Sequence, residues 1–198
     1  TVFQSRMFSD FQKLELDHFA EMDTVHSSQE SKRVILTFFL TREKLFLAFI
    51  MNRCTKGAVR LIFDKLEHQL GTYDFLTLFN TILTDRGSEF GDPDSLETGT
   101  DGMIRSSIYF CDPIRSGQKG GIEQAHTMLR MVLPKKTSFE FLTQWDLRTI
   151  VDHINSTPRE ILGGRTPYDV ALENYGIDIL KALQLRPIPP DEVNLTPK

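Results

Sequence analysis

Three acidic residues stand where a divalent metal could be held against phosphate: Asp23 in Glu-Met-Asp-Thr-Val, Asp85 in Leu-Thr-Asp-Arg-Gly, and Glu123 in Gly-Gly-Ile-Glu-Gln. Carboxylates gathered from distant positions offer hard oxygen ligands to Mg²⁺ or Mn²⁺, and ligand type alone does not choose between the two ions. Two such ions, about 3.5–4 Å apart, can bridge a scissile phosphate, activate the attacking oxygen and stabilise the leaving one. Asp23 suits the bridging role, with Asp85 completing the shell of one ion and Glu123 that of the other. The chemistry indicated is metal-dependent cutting of a nucleic-acid backbone. Taken singly, each acid has a plainer reading. Asp85 near Gly87 can simply turn the chain, Glu123 in a first helical turn can complement the helix dipole, and Asp17 competes with Asp23 for the first position. Their joint placement favours the functional reading.

The elements that must position them follow from hydrophobic period. Residues from Leu14 to Val25 alternate roughly between apolar and polar, and 34–40 and 45–51 are apolar runs of the buried type. The segments between these runs are short enough for hairpin turns, so three antiparallel strands are expected. From Lys56 to Leu70 one apolar stripe (Val59, Ile62, Phe63, Leu66, Leu70) predicts a helix, and Gly71 supplies its stop. The short run 81–84 ends at Asp85. Residues 87–102 are rich in Gly, Asp and Ser and are expected to form a loop or irregular insertion. Ile108 to Cys111 reads as a strand, closed by Asp112-Pro113, and a loop from Ile114 to Gly120 carries Arg115 and Lys119. A helix follows from about Gly121 to Leu133, ended by Pro134. Further helices are expected from Leu142 to Asn155 and from Thr166-Pro167, the latter with Thr166 as cap. Arg186 begins an extended arm. Three strands, a helix, two strands and terminal helices is the order of an α/β fold of the ribonuclease H-like type, in which the three acids would meet at one sheet edge.

With 198 residues, 40% of them hydrophobic, the chain is long enough for one substantial core. No stretch approaches the roughly 20 apolar residues of a membrane span, and the polar start is unlike a secretory signal, so a soluble intracellular protein is expected. Cys54 and Cys111 lack metal-ligand spacing and are expected as free thiols. A net charge of −4 speaks against gripping nucleic acid by bulk electrostatics. That objection weakens if a basic domain lies outside this stretch and if metal ions neutralise the phosphates that matter; the start without Met is what an excised fragment would show.

A set of ordered motifs carries a resemblance. Thr84-Asp85-Arg86-Gly87-Ser88-Glu89-Phe90, Tyr109 to Pro113, Gln118-Lys119-Gly120-Gly121-Ile122-Glu123, Leu129-Arg130 and Pro134-Lys135 resemble the catalytic core of bacterial DDE transposases of the insertion sequence thirty type. So do Asp23 with its flanks, and the tail from Asn155 through Pro158-Arg159, Leu162-Gly163 and Thr166-Pro167. The resemblance spans about Asp17 to Leu172. It implies a mixed five-stranded sheet, three antiparallel strands then two parallel, flanked by helices, with a catalytic core over 1–172 and an extension or arm over 173–198. It implies Asp23, Asp85 and Glu123 as catalytic residues and metal ligands for two Mg²⁺ or Mn²⁺ ions. The implied reaction is cleavage at a transposon end by water, then joining of the freed 3′-hydroxyl to target DNA. Implied partners are transposon-end and target DNA, a homodimer or higher multimer, and a separate N-terminal DNA-binding domain. The implied setting is the bacterial cytoplasm, on the nucleoid when bound to DNA, with no membrane partner.

Arg115, Lys119, His126 and Arg130 are weaker candidates for DNA contact. His126 and Arg130 follow Glu123 by three and seven residues on one helix face, where solvated helix charge is an equal reading. Two alternatives stay open: a catalytically silent ribonuclease H-like module acting in DNA-complex assembly, to which Arg86 beside Asp85 lends weight, and a nuclease without strand transfer.

Overall fold

The computed structural model describes residues 2–29 and 31–196. A short helix α1 (Phe8–Gln12) precedes strands β1 (Ala20–His26), β2 (Val34–Leu40) and β3 (Leu45–Met51). Helices α2 (Lys56–Leu70) and α3 (Thr72–Phe79) lead to β4 (Thr81–Thr84), and a small helix α4 (Pro93–Glu97) precedes β5 (Ser107–Phe110). The chain ends in α5 (Gly120–Val132), α6 (Gln144–Asn155), α7 (Pro167–Tyr175) and α8 (Ile177–Ala182). The five strands form one sheet in the order β3-β2-β1-β4-β5, antiparallel across β1, β2 and β3 and parallel from β1 through β4 to β5. This is the mixed sheet that the order of motifs implied.

β2 is an unbroken apolar run except for Thr37, and all seven of its residues are buried, because helices cover both faces of the sheet. On one face Phe38 meets Phe63 of α2 and Phe79 of α3, with ring centroids 5.7 and 5.2 Å apart. Burying each such ring stabilises the fold by about 1.5–3 kcal/mol. On the β3 edge, α6 is tied down by Asn155, whose side-chain amide accepts from the Phe46 N–H and donates to the Phe46 carbonyl, both at 2.8 Å.

Three departures from the sequence pattern have physical causes. β1 begins at Ala20 rather than near Leu14, because Ala20 pairs with Leu40, the last residue of β2, leaving no antiparallel partner upstream. α3 is only eight residues long, too short for its period to stand out after Gly71. The insertion after Asp85 is more ordered than its composition suggests, because Arg105 anchors it. This fully buried guanidinium donates to Asp64 at 2.7 Å, to Glu67 at 3.0 Å and to the Leu96 carbonyl at 2.8 Å, and lies over the Phe63 ring.

Towards the C-terminus, α8 buries Ile179 and Leu180 in the core. The arm then runs along α6: Asp152 accepts the Arg186 N–H at 3.0 Å, and the Arg186 guanidinium sits 4.7 Å from the half-exposed Trp145 ring. Among the described residues no helix is long and apolar enough to cross a membrane.

Candidate active site

The parallel neighbours β1 and β4 pair only at Ala20 with Ile82 and Glu21 with Leu83. Continuing that register sets Asp23 beside Asp85, just past the last ladder pair, where the strands part. Thr84 still ties them, its hydroxyl donating to the Met22 carbonyl at 3.0 Å. Each aspartate has one oxygen fixed by nearby backbone: Asp23 Oδ1 accepts from the Thr24 N–H at 2.7 Å, and Asp85 Oδ1 from the Gly87 N–H at 2.8 Å. The two remaining oxygens converge on a single cation. Lys119 Nζ lies 2.9 Å from Asp23 Oδ2 and 3.3 Å from Asp85 Oδ2, and donates to the Met22 carbonyl at 3.3 Å.

Lys119 is nearly sealed from solvent, with 4% of its side chain exposed, against 20% for Asp23 and 47% for Asp85. Burial works to lower its pKa, but the charges of Asp23 and Asp85 outweigh that and the net shift is upward. An ammonium held by two carboxylates and a carbonyl shows that this spot attracts and solvates a cation. The oxygen donors are those a hard divalent ion takes, so the residues fit such an ion.

Helix α5 is docked so that its first turn faces this spot. Glu21, buried in β1, accepts the Ile122 N–H at 2.6 Å and so holds the start of the helix against the sheet. Burial pushes the Glu21 carboxyl up, against the pull of the Ile122 and Gly121 N–H groups. Gly121 is required for the approach, because a Cβ there would collide with the Phe39 ring. The loop before α5 is closed by Gln118, which accepts from the Asp112 N–H at 2.8 Å and donates to the Asp112 carboxylate at 3.0 Å.

Glu123 stands one helical turn beyond Lys119. It is exposed, and among the described residues its carboxylate has no ion pair or hydrogen-bond partner. With Thr24 and His26 of β1 it lines an open groove that continues past Arg130 and Lys135. The structure therefore brings Asp23 and Asp85 to one cation and places Glu123 on the adjoining groove.

The other candidates differ in setting. Lys119 lies inside the site rather than on a loop surface, while Arg115 is exposed. The His126 ring is bonded to Thr37 Oγ1 at 2.8 Å and packs edge-on near Phe46; burial, then the charges of Lys119 and Arg130, hold it down at about 4. Arg130 is half-buried and donates to the His26 carbonyl at 2.9 Å and the Leu133 carbonyl at 3.3 Å. Arg86 turns away, donating to the Cys111 carbonyl at 3.1 Å with its guanidinium over Phe3. Two neighbours were not among the candidate site residues: Glu21, visible in the sequence only as a flank of Asp23, and Glu89, read there as a local hydrogen-bonding group of the Asp85 motif, whose carboxylate accepts from the Thr24 hydroxyl at 2.9 Å.

Comparison with known proteins bears on this geometry. No protein-family model matches the chain. It is 34% identical over 93 residues to the transposase for insertion sequence element IS1086 of Cupriavidus metallidurans, a match covering 47% of this chain and 26% of that protein. It is 35% identical over 63 residues to the transposase InsI of element IS30A of Escherichia coli, covering 32% of this chain and 16% of that one. Among solved structures, the catalytic core domain of BIV integrase superposes with a TM-score of 0.54 at 21% identity, covering 80% of this chain and 95% of that domain. In sequence the chain is thus similar to insertion-sequence transposases, and in fold to retroviral integrase catalytic cores. The HTLV-2 integrase core, solved in complex with magnesium in a trimeric form, matches this core with a TM-score of 0.52 at 14% identity, covering 78% of this chain and 95% of that one. The transposase matches extend over only about a quarter or less of those relatives' lengths.

Proposed function

We infer that this core cuts DNA strands at the ends of an insertion element and joins the freed 3′-hydroxyl to target DNA, with Asp23, Asp85 and Glu123 as the catalytic acids. The observation that carries the reading is the convergence of Asp23 Oδ2 and Asp85 Oδ2 on one buried ammonium, with Glu123 a helical turn away. The trio would hold Mg²⁺ or Mn²⁺, two ions in all, which would supply neutralisation of phosphate charge and activation of the attacking oxygen. Asp23 and Asp85 contribute rigidity, since one oxygen of each is already fixed by backbone, and the other, paired with Lys119 in this structure, would turn to the metal once that contact is released. Glu123, without a partner among the described residues, would close the ligand set from the helix side. Lys119, one helical turn before Glu123 in the chain, would on release from the aspartates be suited to a phosphate oxygen. Lys135 and Arg130 border the groove along which a DNA backbone would run.

The net charge of −4 fits a core that grips DNA locally and relies on a basic region elsewhere in a longer protein. A separate N-terminal DNA-binding domain and a multimeric complex on paired DNA ends are part of the same proposal, as is action on the nucleoid.

The test is divalent-metal-dependent processing of duplex DNA carrying the element's own ends, by the full-length protein. Asp85→Asn and Glu123→Gln are each expected to abolish cutting while leaving the fold intact. Cutting unchanged by both substitutions rejects the assignment, and absence of cutting in the unsubstituted protein favours a silent assembly module. Cut products without joined ones indicate a nuclease lacking strand transfer.

A further inference from the structure

A second group of ligating side chains lies beside the carboxylate trio and differs from it in chemistry. His26 ends β1, Cys54 lies in the turn between β3 and α2, and Glu89 sits in the short 3-10 turn Ser88–Phe90 after Asp85. One ligand atom from each lies within 4.8 Å of the other two. The three come from separate segments, so no local spacing in the sequence announces them.

Glu89 is only 8% exposed and, among the described residues, has no ion-pair partner. A buried carboxylate without a cation is costly. Its position is set by Thr24, which donates to Oε1 at 2.9 Å, and by Gly87, where an added Cβ would come within 2.7 Å of Oε2. His26 is exposed at the mouth of the groove, so its ring can adjust towards the sulfur and the carboxylate, and solvent can reach a fourth position.

We propose that His26, Cys54 and Glu89 form a binding site for a borderline-soft divalent cation of the Zn²⁺ class. Nitrogen, sulfur and oxygen donors together suit such an ion and disfavour Mg²⁺, which takes oxygen alone. Metal–ligand distances of about 2.0–2.3 Å would require the present spread to contract by roughly 1 Å, which rotation of the exposed His26 supplies. Coordination by sulfur releases the Cys54 thiol proton to solvent. The ion would clamp the end of β1, the start of α2 and the Asp85 turn together. It would thereby stiffen two neighbours of the trio, Thr24 after Asp23 and Gly87 after Asp85. The inference does not depend on the reaction assigned above.

The experiment is a titration of the metal-free chain with Co²⁺, the spectroscopic stand-in for Zn²⁺, followed by the absorption band that thiolate ligation produces. Expected are a band that saturates at a single equivalent, its displacement by Zn²⁺, its loss in Cys54→Ser, and its retention in Cys111→Ser and in Asp85→Asn. His26→Ala, a change at an exposed position, is expected to weaken binding at least about tenfold. Absence of the band, its survival in Cys54→Ser, or its loss in Cys111→Ser or Asp85→Asn overturns the proposal. Because DNA cutting is not read, failure here leaves the assignment of the trio standing, and failure of the trio leaves this result interpretable.

Discussion

Replacing Lys119 with Met isolates the strongest electrostatic contact in the site. The substitution keeps most of the buried stem and removes an ammonium that lies 2.9 Å from Asp23 and 3.3 Å from Asp85. Breaking a buried pair by deleting one partner costs about 3–5 kcal/mol, whereas an exposed pair is worth no more than about 1 kcal/mol. The Asp85 side chain is 47% exposed and belongs near the lower figure, while Asp23, at 20%, lies between the two. A net destabilisation of roughly 2–3 kcal/mol follows, equivalent to a drop in Tm of roughly 5–10 °C for a domain of this size. The same contact must be given up before a divalent ion can use both aspartates. Without it, Mg²⁺ should bind about thirtyfold more tightly and restore much of the lost stability, since about 1.4 kcal/mol is a factor of ten. Thermal melts of both proteins across a Mg²⁺ series, started in chelator, measure the two effects together. A variant that melts with the unsubstituted protein in chelator, or that responds to Mg²⁺ at the same concentration, refutes the reasoning.

Three further outcomes follow from buried groups. His126, held at about 4 chiefly by burial, binds its proton less readily folded than unfolded, so stability is lost as pH falls through the window from about 6.5 to about 4; His126→Gln should remove up to about 2 kcal/mol of that loss in urea melts at about pH 5 against neutral pH. Asp152 is pushed up to about 6 by burial, so its ionisation opposes folding as pH rises from about 4 to about 6, and Asp152→Asn should raise neutral-pH stability by about 1–2 kcal/mol in the same melts. Glu21→Ala leaves the Ile122 N–H unbonded and should cost about 2–3 kcal/mol in thermal melts, with a larger proportional loss of DNA cutting than of folded protein because α5 carries Glu123.

What the sequence disclosed depended on how local each signal was. β2 and β3 showed themselves as apolar runs, α2 as a stripe ended by Gly71, and α7 by Thr166 before Pro167, because each property is written within a few neighbouring residues. The Asp85 turn was legible for the same reason. The convergence of Asp23 with Asp85 required the β1–β4 register, and the sequence offered only the resemblance of the ordered motifs as a guide to it. Lys119 was read as a loop cation, since nothing in Gln-Lys-Gly-Gly tells that the parting of two strands opens a space for its ammonium. Glu21 passed as a flanking residue because its partner, the Ile122 N–H, lies 101 positions away. Cys54 looked like an ordinary thiol because His26 and Glu89 reach it from other segments.

The anchoring of the 87–106 excursion by Arg105 has an engineering consequence. Its tip around Asp101 and Gly102 is exposed and tied back to α2 through Arg105, Glu67 and Asp64, not to Asp23, Asp85 or Glu123. Peptide grafted at that tip should be carried as passive cargo, the 85-to-123 distance in space being set by the sheet and by Glu21. A single residue inserted between Thr81 and Asp85 has no such tolerance, because alternation along a strand would send the acid to the opposite side of the sheet.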